Sequence, residues 1–140
     1  DPQCEIASPG RSSFMKENLM TDEAALIGTR VAVRILLKWQ ATDADICAIL
    51  DISPDTLRGL LAQQQNPKLE QEPLERVGLI LNIHAVLRTV FSNPANVYGF
   101  MQMVNNNAFF CGRAPLTVIS DGNIESLRET YRRIKALEVE

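Results

Sequence analysis

Residues 74–90 carry apolar side chains at Leu74, Val77, Ile80, Leu81, Ile83, Leu87 and Val90, a set that winds around more than one face of a helix. A helix with a single apolar stripe can lie on a surface, whereas one that is apolar on several faces has to be surrounded. Pro73 suits the opening turn of such a helix, and Phe91-Ser-Asn-Pro94 follows its far end. The spacing therefore predicts a long central helix over 73–91. The rest of the chain must supply the elements that cover it.

Those elements also read as helices. Over 23–40, Leu26, Ile27, Val31, Ile35, Leu36 and Trp39 recur near the 3.6-residue period. Thr42 caps a second helix whose first turn holds Asp43 and Asp45, where carboxylates suit the helix dipole, and which ends at Leu50. Asp51-Ile-Ser53 then turns the chain. Ser53 caps a third helix reaching about residue 64, with Pro54 in its first position. Glycine usually fills the turn of this helix–turn–helix spacing; Asp51 stands there, and aspartate tolerates the positive φ required. Further on, a short helix is expected over 96–104, another opens at Pro115, and a terminal helix begins at Ile124 with the stripe Ile124, Leu127, Tyr131, Ile134 and Leu137. No segment alternates with period two for long, so the expected fold class is all-α. The polar run Gln63-Gln-Gln-Asn-Pro-Lys68 marks a lobe boundary. It divides the chain into a flexible N-terminal segment (1–20), a helix-turn-helix-like lobe (21–68) and a C-terminal helical domain (69–140).

Between the last two helices lies Asn105-Asn-Asn-Ala-Phe-Phe-Cys-Gly-Arg-Ala-Pro-Leu116. Three adjacent amides compete for backbone hydrogen bonds and disfavour helix. Phe109 and Phe110 can anchor such a loop while Gly112 gives it a turn. Arg113 then has two compatible roles: a partner-facing guanidinium beside aromatic anchors, or a tie that holds the loop through neighbouring carbonyls.

The order of these features resembles the toxin-binding domain of Xre/MbcA/ParS-type antitoxins, partners of RES-domain toxins. The resemblance covers 74–137. Its specific part is Ala108-Phe109 with Gly112-Arg113-Ala114-Pro115-Leu116, flanked by the Phe91–Pro94 corner and the Ile119-Ser-Asp-Gly122 turn. Cys111 stands where a second glycine is common, Phe100-Met101 where Trp-Leu is usual, and Asn107 where proline is frequent. The preceding lobe is similar to the Xre-like helical lobe of the same family. The resemblance implies a type II antitoxin that performs no chemistry itself. It would neutralise an NAD-consuming or ADP-ribosylating toxin by covering the toxin's active site. The expected toxin-binding residues are Asn105, Asn107, Phe109, Phe110, Gly112 and Arg113 of the loop, with Arg128, Arg132 and Lys135 of the terminal helix. It also implies repression of the protein's own operon and a homodimer or higher toxin–antitoxin assembly.

Charge and chemistry bound the alternatives. The net charge is −3, and the basic and acidic residues number 5 and 4 over 30–68, so no strong cationic field marks a DNA reader. Thr56, Arg58 and Gln63 on the third helix, with Arg34 and Lys38 on the first, are the DNA-facing candidates. Asp55 opposes that role, Gly59 on the same outer face presents nothing, and a solvated helix face explains Arg30, Arg34 and Lys38 equally well. The lobe serves as readily for dimerisation. A DNA-binding regulator without a toxin partner is accordingly the alternative function. The single histidine, His84, lies between Leu81 and Leu87 and reads as a core or boundary residue rather than a catalytic one. Cys4, Cys47 and Cys111 are widely spaced and, with one histidine, form no zinc ligand set. No nucleophile motif or phosphate-binding glycine loop occurs, so no catalytic residue, metal or cofactor is expected. No apolar run reaches the ~18 residues of a membrane span, and no signal-peptide pattern is visible. A cytoplasmic protein with reduced thiols and no membrane partner is the expectation.

Overall fold

The computed structural model describes residues 22–63 and 67–139; the expected flexible segment 1–20 lies outside them, and the regular structure of the described residues is helical. Its elements are α1 (Asp22–Lys38), α2 (Asp43–Leu50), α3 (Pro54–Ala62), α4 (Gln71–Val90), α5 (Pro94–Gly99), a 3-10 turn (Phe100–Gln102), α6 (Pro115–Ile119), α7 (Ile124–Lys135) and a closing 3-10 turn (Ala136–Val139). The described residues hold no strand, only an isolated antiparallel bridge between Asn105 and Arg113. None of their helices is long and apolar enough to cross a membrane.

Local chemistry sets the helix ends. α1 stops at Lys38, two residues short of the expected end, because Gln40 turns to φ 68°. The Gln40 and Ala41 amides then donate to the Leu37 and Leu36 carbonyls at 2.9 and 3.0 Å. This pairing closes a helix whose last carbonyls lack partners, with Ala41 buried against the end. Thr42 and Asp45 form the reciprocal cap of α2, and Asp51 takes the left-handed conformation (φ 56°) that its place in the turn demands. Ser53 caps α3 through the Thr56 amide, with Pro54 in the first turn. Other expected boundaries move as well. α4 begins at Gln71, so that Pro73 sits in its third position, still inside the first turn where no amide partner is lost. The short helix expected over 96–104 instead starts at Pro94, capped by the Asn93 side chain, and unwinds after Gln102 as Met103 becomes extended.

α4 occupies the centre, with α1 and α7 along its length and α2 and α5 against its ends. Trp39, Leu36, Ile46, Leu57, Val77, Ile80, Ile83, Leu87, Met101, Leu127 and Ile134 belong to one continuous core. The helices on either side of residues 63–68 therefore share apolar contacts. Burying side chains of this size contributes about 1.5–3 kcal/mol each.

A buried cation ties α4 to the end of α2. Arg76 is only 5 % exposed. Its Nη1 donates to the Ile49 and Ala48 carbonyls at 3.1 and 3.3 Å, and its Nη2 to Glu72 Oε2 at 2.9 Å. Guanidinium charge is thus supplied where the last carbonyls of α2 are short of donors. Nearby, Gly122 (φ 81°) lets the α6–α7 turn approach Ala48, whose carbonyl oxygen would lie 3.5 Å from an added Cβ. At the other end of α4, His84 stacks on Tyr98 of α5 (ring centroids 5.4 Å apart), and Lys38 Nζ lies 5.1 Å from the Tyr98 ring centre. Burial, with the Arg88 charge as the second cause, pushes the His84 imidazole below its ordinary value. Its Nδ1 is buried without a hydrogen-bond partner among the described residues.

Two outcomes are expected. Arg76→Met, which fills the space but withdraws the donors, lowers unfolding free energy by about 2–4 kcal/mol in urea titration. A loss under about 0.5 kcal/mol would show that the carbonyls do not depend on it. For His84, a base whose folded pKa lies below its unfolded value, stability is complete above about pH 6.5 and falls as pH drops through the folded pKa. Thermal unfolding between pH 7 and 5.5 should therefore slope downward in the parent and less so in His84→Phe, which keeps the ring stack.

Candidate functional site

The three asparagines earn their place by building the loop that follows the 3-10 turn. The Asn105 side-chain oxygen accepts from the Asn107 amide at 2.8 Å, and that of Asn107 accepts from the Phe109 amide at 2.9 Å. Such side-chain turns replace the backbone pairing that helix or sheet would supply. The Asn107 carbonyl then accepts from the Cys111 amide at 2.9 Å. Cys111 (φ 53°) and Gly112 (φ 79°) take successive left-handed conformations, which reverse the chain. The loop closes where the Gly112 amide donates to the Asn105 carbonyl (2.8 Å) and the Asn105 amide to the Arg113 carbonyl (3.2 Å).

Arg113 holds this shape from outside. Its Nε donates to the Phe110 carbonyl at 2.8 Å and its Nη2 to the Phe109 carbonyl at 3.1 Å. The side chain stays exposed, and Nη1 makes no bond within the described residues. Of the two readings of Arg113, the tying role is thus present in the folded chain and leaves the cation displayed. Phe110 is 1 % exposed, which makes it an anchor rather than a contact surface. Phe109 is half-buried, meets Phe110 edge-on at 5.1 Å, and has the Arg133 guanidinium 5.7 Å from its ring centre. α7 thereby braces the loop. Asn107 and Gly112 are exposed and Asn105 is half-buried.

The basic residues of α7 are placed differently. Arg128 turns inward to α4 and grips Glu75 with two donors at 2.7 and 2.9 Å, while also pairing with Glu125. Hydrogen bonding to Glu75 raises its pKa further above the ordinary arginine value. Arg132 and Arg133 share Glu129 at 3.0 and 2.6 Å, and Lys135 pairs with Glu138 at 2.7 Å. Arg132 first and Arg133 second hold the Glu129 carboxyl below its usual range, and Glu138 raises Lys135. Each of the three expected toxin-binding cations of α7 therefore already has an intrachain carboxylate. These pairs follow from i,i+3 and i,i+4 spacing, except the Arg128–Glu75 contact, whose partner lies 53 residues away.

On the first lobe, Arg58 pairs with Asp55 on the exposed face of α3, and Thr56 is half-buried with its amide and hydroxyl engaged by Ser53. Gly59, expected on the outer side, is buried between Leu57 and Leu60, because the apolar face of α3 is wider than the leucines alone indicate. Gln63 is exposed and ends α3 in the left-handed region (φ 57°). Arg34 and Lys38 are exposed on α1, and Lys38 is drawn toward Tyr98. Of these candidates, Arg34 of α1 and Gln63 at the end of α3 line one shallow pocket, together with Arg30.

Sequence reading missed Met103 and Val104. They are 61 % and 69 % exposed, immediately before the loop. The signal that could have found them is their position: two apolar residues abutting three amides, where a helix cannot continue to bury them. Among the described residues no group of three or more His, Cys, Asp or Glu side chains is arranged to hold a metal ion. Cys47 and Cys111 are free thiols; burial first, then the Asp43 charge, pushes the Cys47 thiol up. In comparisons with known proteins, no family model, no curated protein and no solved structure matches the chain.

Proposed function

We propose that this protein is the antitoxin of a type II toxin–antitoxin pair, binding and blocking a RES-type toxin that consumes NAD or transfers its ADP-ribose. The observation that carries the reading is the self-closed loop over 105–113. Its hydrogen bonds, buried Phe110 and tying Arg113 hold it in one conformation before a partner arrives. Binding through a preorganised loop spends little free energy on ordering it. The exposed Met103 and Val104 beside it supply apolar contact area, and the Arg113 guanidinium supplies charge for an acidic or phosphate-handling cleft.

In this reading the protein acts by occupation. The loop, braced by α7 through Arg133 and Phe109, covers the mouth of the toxin's nicotinamide pocket and excludes substrate. Arg128 links α7 to α4 through Glu75, while the charges of Arg132 and Lys135 are offset by Glu129 and Glu138.

The proposal includes repression of the protein's own operon by a dimer. A regulator without a toxin partner is the second reading. It is favoured by the α2–turn–α3 arrangement and by Arg34 and Lys38, which form no ion pair among the described residues. Promoter binding that is sequence-selective and weakens steeply with salt would support it.

The test is co-purification with the product of the adjoining reading frame, followed by an NAD-depletion assay on that product with and without this chain. Stoichiometric protection of NAD is the expected result; a neighbour that neither binds nor consumes NAD would overturn the proposal. Arg113→Glu should abolish neutralisation while the protein stays folded by circular dichroism. Arg113→Lys, which keeps charge but loses the planar fork, should weaken binding by roughly tenfold. Full neutralisation by folded Arg113→Glu would remove the residue from the interface.

A further inference from the structure

The segment entering the loop carries one residue, Val104, whose backbone groups are unpaired. Met103 is extended (φ −91°, ψ 141°), and Asn105 uses both its amide and its carbonyl to bridge the 112–113 stretch. In an extended chain, successive residues point these groups to opposite sides. Neither the amide nor the carbonyl of Val104 makes a hydrogen bond within the described residues, while those of Asn105 are taken by 112–113. The side chains on this edge, Met103 and Val104, are among the most exposed apolar ones described. An open donor–acceptor pair flanked by exposed apolar residues is the arrangement that accepts an added strand.

Charge narrows the occupant. Residues 76–120 contain no aspartate or glutamate. Across the bridge stands Arg113, whose Nη1 is uncommitted. We propose that the 103–105 edge receives an extended apolar segment of the partner protein, pairing main chain to main chain with Val104 and carrying a carboxylate that reaches Arg113. A helix cannot make this pairing, because its amides and carbonyls are already spent internally. The inference rests on the partner-binding reading above and names the form of the partner segment.

Val104→Pro is the informative variant. It removes the Val104 amide, which has no intrachain partner to lose, and the preceding Met103 already holds the extended conformation that proline requires. Val104→Thr keeps the amide and the β-branch. Affinity is measured by calorimetry against the purified product of the adjoining reading frame. The proline variant should bind roughly five- to tenfold more weakly and the threonine variant within about threefold, with thermal unfolding of both unchanged. Amide exchange at Val104, measured in the parent, should slow in the complex.

Parental affinity in the proline variant, or unchanged exchange at Val104, would overturn the strand edge while leaving the antitoxin reading intact. Failure of the parent protein to bind would remove both. Concentration-dependent self-association that the proline variant loses would assign the edge to a second copy of this chain and overturn the proposal.

Discussion

A helix that is apolar on several faces imposes its needs on everything around it, and α4 does so here. Val77, Ile80, Ile83 and Leu87 are fully buried, and each side they present must be covered by a different element. α1 and α7 lie along it, while α2 and α5 close on its ends. One charged side chain of α4 is buried as well. Arg76 is accepted in the interior because Glu72 and the Ala48 and Ile49 carbonyls satisfy it, and it then fixes α2 against α4. Helices before and after the polar run at 63–68 consequently share a core.

The loop over 105–113 follows a different logic. Nothing covers it as α4 is covered, so its stability comes from within: asparagine side chains in place of backbone partners, two left-handed residues and one arginine closing on two carbonyls. Phe110 fastens this self-contained unit to the core, and Arg133 on Phe109 fastens it to α7. A rigid, outward-facing loop on a helical scaffold suits recognition, because ordering is complete before contact. The exposed Met103 and Val104 have no evident role in the folded chain alone.

Electrostatics in the C-terminal part is largely spent within the chain. Four basic residues of α7 are paired with Glu75, Glu125, Glu129 and Glu138. Exposed pairs of this kind contribute about 0–1 kcal/mol each, so their main effect is to cancel charge rather than to build stability. Arg113 is the contrast: its bonds go to neutral carbonyls, and its charge remains on display.

Much of this was legible in the residues themselves. Helical period, capping residues and the wrapped apolar pattern of 74–90 determined the all-α class, the central place of α4 and the turns at Asp51 and Ser53, because these follow from contacts within a few positions. The asparagine triplet likewise announced a loop held by its own side chains. Tertiary structure alone decided the rest. It buried Arg76 beneath α2, turned Arg128 toward Glu75 across 53 residues of chain, hid Gly59 and left Val104 with an open edge. Spacing cannot reveal whether a cation faces water or a distant carboxylate. That depends on which helices meet, and their meeting is settled by the packing of the whole core.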